Sequence, residues 1–272
     1  MKRFLTTATT FFAAALLGFA LVKPAAAQDG TIDQIIKRGQ LNVGMATFVP
    51  WAMRNKKGEL IGFEIDVAKE LAKDLGVEAN FVPTAWDGII PALIAGKFDV
   101  IIGGLTVTPV RNLTVNFTEA YAHSGMRIVV NTKLAQGRSK IEDYNDSDVT
   151  FTARRGSTAA QYTRKAFPKA QLRMFDEDGQ SFLEMVNGRS TAVMAYDPNP
   201  AIWVSRYPDV LSTPIAERYN LGSEAFAVRK GEPDTLNVFN NWIRLRWQDG
   251  FLQARSDYWF RTRDWADQVP DQ

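Results

Sequence analysis

The sequence predicts an α/β protein made of two Rossmann-like lobes that are joined by two extended hinge strands. Two observations favour this class. Strand-like and helix-like segments alternate in two series, one before about residue 121 and one after about residue 148. This β-α-β-α order builds mainly parallel sheets with right-handed crossovers. In addition, the extended segments 126–133 and 223–234 lie outside both series, where they are expected to cross between the lobes.

The first series predicts three strands and two helices. The strands are expected at 40–46, 78–83 and 98–105, and the helices at 64–76 and 86–97. Residues 98–105 are continuously apolar, as in a strand that is buried in a parallel sheet. Five apolar residues at helical spacing predict an amphipathic helix that Gly76 ends: Ile65, Ala68, Leu71, Ala72 and Leu75.

The second series repeats this order and is followed by helical sequence. Strands are predicted at 148–154, 170–175 and 190–197, helices at 156–167 and 179–188, and a further pair of helices after residue 234. The simplest division places 28–127 and 225–272 in a discontinuous first lobe. Residues 128–224 then form the second lobe.

The first 27 residues are interpreted as a secretory signal peptide. Lys2 and Arg3 precede an apolar stretch at 11–22, and three alanines at 25–27 supply a cleavage pattern. A membrane anchor is the disfavoured alternative, because the apolar run is short and threonines interrupt its start. The chain has no cysteine, which excludes a lipid anchor at the cleavage site. We therefore expect a soluble periplasmic protein.

The composition excludes several classes of chemistry. With no cysteine there is no disulfide framework, no thiolate metal site and no cysteine nucleophile. A single histidine, His123, excludes a histidine-cluster metal site and disfavours a Ser-His-Asp triad. Removal of Lys2, Arg3 and Lys23 with the signal brings the net charge close to zero, and no basic run suggests nucleic acid. No catalytic residue, metal or cofactor is predicted.

Residues 103–117 predict an anion-binding helix start. Thr108 is suited to cap the helix and Pro109 to its first position, which puts Arg111 in the first turn. A cation is mildly unfavourable there, because the helix dipole is positive at that end. The free N–H groups and the bidentate guanidinium would together grip a carboxylate. From these residues alone, a surface salt bridge of Arg111 with Glu119 remains the alternative.

Three blocks resemble one protein family. Residues 62–75, "GFEIDVAKELAKDL", resemble the signature of the extracytoplasmic solute-binding proteins of family 3, the polar amino-acid receptors of ABC importers. Residues 98–121 resemble the second block of that family, and residues 153–162 resemble the ligand loop of its second lobe. The resemblance implies the type II periplasmic binding protein fold.

The same resemblance implies roles for particular residues. The α-carboxylate of the ligand would be held by four of them: Gly104, Thr106, Arg111 and Thr158. An acid at the end of strand 190–197 would take the α-ammonium, and we assign it to Asp197. The run that leads to it is one residue longer than the common family spacing. Tyr196 therefore remains the alternative occupant of that position.

Aromatic and basic residues would enclose the ligand side chain. Phe48 and Trp86 match the two stacking aromatics of the family, and core packing is the alternative for each. Trp51 is a further candidate, with a rim or core position as its alternative. Arg154 is placed to face the ligand side chain, unless it forms a solvated or interlobe salt bridge. With no acid just before Phe48, these features favour a neutral or acidic side chain over lysine or arginine.

The resemblance implies a periplasmic receptor that closes two lobes over a small amino acid and delivers it to an ABC transporter permease. We expect a monomer. One alternative is an exported lyase on the same scaffold, similar to cyclohexadienyl dehydratase, for which Glu119 and Glu184 are available as acids. Another is a ligand-sensing partner of a signalling receptor. An amino-acid receptor needs an ammonium-binding acid such as Asp197, whereas a lyase of non-amino acids does not.

Overall fold

The computed structural model describes residues 30–270. The predicted signal peptide, residues 1–27, lies outside these residues. Within residues 30–270, no helix combines the length and the apolar character that crossing a membrane requires.

The strands of the described chain form one large sheet and one small hairpin. Their bounds are β1 (Gln40–Met45), β2 (Met53–Arg54), β3 (Leu60–Ile61), β4 (Glu78–Pro83), β5 (Val100–Ile101), β6 (Asn116–Asn131), β7 (Thr150–Arg154), β8 (Gln171–Phe175), β9 (Ala192–Tyr196), β10 (Leu211–Ser212) and β11 (Tyr219–Val228).

The α-helices alternate with these strands. Their bounds are α1 (Thr31–Arg38), α2 (Phe63–Asp74), α3 (Ile89–Ile94), α4 (Pro109–Asn112), α5 (Thr158–Ala166), α6 (Asp178–Val186), α7 (Asn199–Arg206), α8 (Pro233–Gln248) and α9 (Phe251–Ser256).

One sheet runs through both lobes, in the order β4-β1-β5-β11-β6-β9-β7-β8. Strand β1 is parallel to β4 and β5, and these three strands form the first lobe with α1–α4. Strand β7 is parallel to β8 and β9, which form the second lobe with α5–α7. The long antiparallel pair of β6 and β11 lies between them. The sequence predicted only the second half of β6 as an extended crossing.

Each lobe has its own hydrophobic core. In the first, Phe63, Tyr121 and Phe226 are buried against residues of α8. In the second, Phe151 packs on Phe167 with ring centroids 4.6 Å apart. Full burial of such side chains contributes about 1.5–3 kcal/mol each relative to exposure. The two cores therefore hold each lobe together independently of any ligand between them.

Most predicted elements of both series are present with bounds shifted by one or two residues. The strand predicted at 98–105 is the main difference, since ladder pairing covers only Val100–Ile101. Beyond the ladder the chain turns at Gly104, whose φ of +64° lies in the left-handed region that glycine adopts without strain. The helix predicted at 86–97 begins as a 3₁₀ turn, Trp86–Gly88, before α3. Helix α1 and the β2–β3 hairpin were not predicted.

Candidate functional site

A small cavity of about 40 Å³ lies between the two lobes. The first lobe contributes four of the residues that line it: Phe48, Trp86, Gly104 and Thr106. The second lobe contributes the rest: Arg154, Ser157, Thr158, Ala159, Asp178, Met194, Ala195 and Tyr196. Six of the eight predicted ligand-binding residues are thus brought together here, from segments far apart in the chain. Arg111 and Asp197 do not line the cavity.

Arg111 lies directly beside the cavity wall. As predicted, Thr108 caps α4, and its hydroxyl accepts a hydrogen bond from the Arg111 amide at 3.2 Å. The Arg111 side chain turns back, so that Nη1 donates to the Thr106 carbonyl at 2.8 Å and Nη2 to the Gly156 carbonyl at 3.3 Å. The guanidinium carbon lies 5.8 Å from the centre of the Trp86 ring. Arg111 therefore links both lobes at one wall of the cavity.

Burial changes the electrostatics of Arg111. The side chain is 9 % exposed, and its loss of hydration lowers the pKa of the guanidinium to about 10. The positive charge of Arg154 lowers this pKa further. Glu119, the alternative partner considered for Arg111, instead pairs with Arg244 at 2.6 Å. Arg111 remains a buried cation at neutral pH.

The amide of Gly104 is already hydrogen-bonded in this structure. It donates to the Tyr121 hydroxyl at 3.1 Å, and that hydroxyl donates to Glu64 at 2.5 Å. Glu64 is completely buried, and desolvation raises its pKa to about 8. Glu64, the first acid of the 62–75 block, therefore holds Tyr121 and, through it, the Gly104 amide behind the cavity wall. The sequence did not suggest this role.

Tyr196, at the end of β9, presents its hydroxyl to the cavity. This hydroxyl is 3.0 Å from the Thr158 hydroxyl and accepts a hydrogen bond from Asn220 at 2.9 Å. Burial raises the pKa of Tyr196, so the phenol stays protonated. Ser157 caps α5 by accepting from the Ala160 amide at 3.0 Å, which orients the start of that helix toward the same space.

Asp197 lies on the opposite side of the strand end. Successive residues of a strand point to opposite faces, so Tyr196 and Asp197 diverge. The Asp197 carboxylate pairs with Arg127 at 3.2 Å and with Arg218 at 2.7 Å, and it lines a separate cleft of about 510 Å³. The structure thus does not bring Asp197 to the cavity, where Tyr196, the alternative, is found instead.

Arg154 occupies the space between the two predicted stacking aromatics. Its guanidinium carbon lies 4.3 Å from the centre of the Trp86 ring and 5.2 Å from that of Phe48. A cation over an aromatic face is attracted by the quadrupole of the ring. The Arg154 side chain is also nearly completely buried. A guanidinium of the protein itself therefore fills this aromatic slot.

Trp51 belongs to the core rather than to the rim. It is 2 % exposed, it stacks on Phe48 with centroids 6.1 Å apart, and it meets Phe63 edge-on at 5.6 Å. Trp51 therefore packs on Phe48 without itself lining the cavity.

Two acids near the site were missed by sequence reasoning. Asp178, the first residue of α6, lines the cavity and accepts a hydrogen bond from Asn199 at 2.8 Å, and desolvation raises its pKa. Glu224 on β11 is bonded to Ser124 at 2.6 Å, and burial raises its pKa to about 7. The only sequence feature that could have marked Asp178 as a site residue was its position at the start of a predicted helix. Nothing in the local sequence marked Glu224.

The fold and the interlobe cavity define a two-lobed ligand-binding protein, and comparison with known families agrees. Residues 41–262 match the model of the bacterial extracellular solute-binding proteins, family 3. The chain belongs to this family and has the fold of type II periplasmic binding proteins.

Individual relatives cover most of the chain. It is 30% identical to the L-cystine-binding protein TcyJ of Escherichia coli K12, over 86% of this chain and 87% of that one. Among solved structures it resembles the ancestral amino acid-binding protein AncCDT-1, described as a precursor of cyclohexadienyl dehydratase, at 38% identity and TM-score 0.76, over 85% of this chain and 100% of that one. It also resembles a Wolinella succinogenes ABC transporter binding component complexed with lysine, at 32% identity and TM-score 0.80, over 85% of this chain and 99% of that one.

Proposed function

We propose that this protein captures a small amino acid between its lobes in the periplasm and delivers it to the permease of an ABC importer. The observation that carries the proposal is the interlobe cavity, whose polar groups come from both lobes. The relatives described above include receptors for amino acids, which supports the same ligand class.

The ligand α-carboxylate would be bound from both sides. Arg111 and the Thr106 hydroxyl act from the first lobe, and the Thr158 amide acts from the second, at the start of α5. A helix start with free N–H groups favours a carboxylate. The Gly104 amide donates to Tyr121 behind the cavity wall, so it would have to exchange that hydrogen bond to take part.

We assign the ammonium position to Tyr196 rather than to Asp197. The Tyr196 hydroxyl can accept a hydrogen bond from an ammonium while its own proton goes to Thr158. Asp197 is engaged by two arginines and lines a different cleft.

Binding would be coupled to closure of the lobes around β6 and β11. Contacts from Arg111 to Gly156 and from Arg154 to Thr47 already join the lobes, so this arrangement is a closed one. The lobes must therefore open to admit a ligand, and a ligand favours closure only through contacts that the open form lacks. We place the lobe boundaries at 28–127 with 225–272, and at 128–224.

The proposal is tested by a thermal-shift screen of the protein without residues 1–27. The ligands are the twenty amino acids, opines and polyamines. A ligand that binds only the native state raises the melting temperature by mass action. At least one amino acid is expected to do so, and a screen with no amino-acid response would contradict the proposal.

A lyase on the same fold is the second candidate, favoured by 23% identity to the cyclohexadienyl dehydratase of Pseudomonas aeruginosa over 87% of this chain. Glu119 and Glu184, the acids considered for it, lie outside the cavity and pair with arginines. A general acid would instead have to be Asp178, which does line the cavity. Formation of an aromatic product from a cyclohexadienyl carboxylic acid, and its loss in Asp178→Asn, would support this candidate over the receptor.

A further inference from the structure

Two arginines cross the cleft between the lobes in opposite directions. Arg111 of the first lobe donates to the Gly156 carbonyl of the second at 3.3 Å. Arg154 of the second lobe donates to the Thr47 carbonyl of the first at 3.5 Å. Their guanidinium carbons lie 5.8 and 4.3 Å from the centre of the same Trp86 ring. Closure of the lobes thus gathers two cations around one small cavity.

Neither cation is neutralised by a direct ion pair. Within residues 30–270, no carboxylate lies within 4.0 Å of either guanidinium. Arg154 is 6 % exposed, and its Nε is buried without a hydrogen-bond partner. Asp178 is the one carboxylate among the residues that line the cavity, and it is bonded to Asn199. A buried cation without a counter-ion is costly, so an anion from outside would stabilise this arrangement.

We propose that the ligand carries a second carboxylate on its side chain and that Arg154 binds it, so that the ligand class is the acidic amino acids. This inference rests on the proposed function and narrows it. One guanidinium, Arg111, binds the α-carboxylate, and the other binds the side-chain carboxylate. Arginine donors match a carboxylate bidentately, which makes both contacts specific.

The balance of charge favours this ligand over a neutral or basic one. Arg154 and Arg111 are the cations of the cavity region, the carboxylate of Asp178 lines the cavity, and the exposed Glu177 next to it also attracts Arg154. A neutral amino acid is a zwitterion and offers Arg154 no further anionic group, whereas aspartate or glutamate brings a side-chain carboxylate that can pair with it directly. A lysine or arginine ligand would bring its cation to Phe48 and Trp86, where Arg154 already stands. Like charges at that distance disfavour closure.

Titration calorimetry with matched ligand pairs tests the inference on the unmodified protein. Glutamate is compared with glutamine and aspartate with asparagine, because each pair differs mainly in charge. Lysine and arginine form the basic arm, and glutarate and succinate supply two carboxylates without an ammonium. At least one acidic amino acid is expected to bind tenfold or more tightly than its amide. Equal or tighter binding of the amides, or of lysine or arginine, would overturn the inference.

A variant tests whether Arg154 is responsible for the preference of acid over amide. Arg154→Gln keeps a polar side chain without charge, so it is expected to abolish the preference of acid over amide. Arg155→Gln is the matched control. Arg155 is the exposed neighbour of Arg154 in the chain, and it pairs with Asp176 outside the cavity. A preference that survives in Arg154→Gln would show that Arg154 is not the recognising group. The comparison of ligands on the unmodified protein decides the ligand class even if this variant fails to fold.

The panel separates failure of the inference from failure of the proposed function. If amides bind as well as acids, the receptor function stands and the acidic class is wrong. If glutarate or succinate binds as tightly as its amino acid, the two-carboxylate requirement stands, but amino-acid recognition is wrong. If no compound of the panel binds, the acidic class is wrong, and the screen of the twenty amino acids decides whether the receptor function is wrong as well.

Discussion

Arg111 illustrates how one residue is disfavoured locally and stabilised by its surroundings. The first turn of a helix disfavours a cation. Yet Arg111 is buried there, and its guanidinium is bonded to carbonyls of Thr106 and Gly156 from different lobes. Neutral carbonyl acceptors do not replace the counter-ion that a buried cation requires. We therefore propose that Arg111 awaits an anion that comes with the ligand.

Arg111→Ala is expected to remove the ligand-induced rise in melting temperature and to weaken binding by about thirtyfold or more. Loss of a charge-assisted contact in a desolvated site costs about 2–5 kcal/mol. Calorimetry with the ligand found in the screen measures the loss. The matched control is Arg244→Ala, which removes an exposed arginine paired with Glu119 and should bind normally. An Arg111→Ala protein that binds its ligand unchanged would refute the carboxylate role.

Tyr196 and Asp197 give a second prediction at this scale. Tyr196→Phe should weaken ligand binding about tenfold, about 1.4 kcal/mol, because it removes only a hydroxyl. Asp197→Asn should leave affinity unchanged while lowering thermal stability, since Arg127 and Arg218 lose their partner. Tyr144→Phe controls for the loss of a hydroxyl in the core of the second lobe. The reverse pattern of affinities would return the ammonium position to Asp197.

At the scale of elements, the turn between β7 and α5 packs directly against the first lobe. Gly156 in this turn has a φ of +72°. A Cβ built there would lie 3.1 Å from Cα of Asp87 in the first lobe. The absence of a side chain at Gly156 therefore permits closure as well as the turn.

Gly156→Ala should accordingly impair ligand binding, tenfold or more, because the added methyl opposes the closed form. Gly188→Ala is a matched control: its φ is +70°, and nothing lies within 4 Å of the new Cβ. Both variants should lose about 1–2 kcal/mol of stability from left-handed strain, but only Gly156→Ala should lose affinity. Thermal melts and calorimetry of the pair measure the two effects, and equal affinities would exclude steric control of closure at Gly156.

The elements also show what could be predicted from the chain. Helical spacing in 64–76 and the cap at Thr108 predicted helices that are present, because these signals act between neighbours in sequence. The strand at 98–105 was predicted too long, since apolar character alone does not reveal where ladder pairing stops. The early half of β6 was missed because its partner, β11, lies far along the chain.

At the scale of the whole molecule, buried acids make folding stability depend on pH. Burial raises the pKa of Glu64 to about 8 from its ordinary value of 4.5. Between these values the folded state holds a proton that the unfolded state has released. Stability contributed by this group is therefore fully present below pH 4.5 and is lost as the pH rises toward 8. Glu224, with a pKa raised to about 7, acts in the same direction.

Urea unfolding at pH 5 and pH 8 is expected to show lower stability at pH 8, with a contribution of up to about 1.4 kcal/mol per pH unit from each group. Glu64→Gln should reduce this slope, because its side chain does not titrate. Glu119→Gln is the control. Pairing with Arg244 lowers the pKa of this exposed acid, so Glu119 does not titrate between pH 5 and pH 8. An unchanged slope in Glu64→Gln would show that Glu64 is not protonated in the folded protein.

The sequence by itself determined the fold class, the family and six residues of the interlobe cavity. Periodicity, caps and family blocks depend on residues close together in the chain, so they can be read without a structure. Only the tertiary structure decided that Tyr196 rather than Asp197 lines the cavity and that Arg154 stands between Phe48 and Trp86. These placements depend on strand-end geometry and on contacts between lobes across more than a hundred residues of chain. Local sequence carries no record of such contacts, because they form only when the two lobes meet.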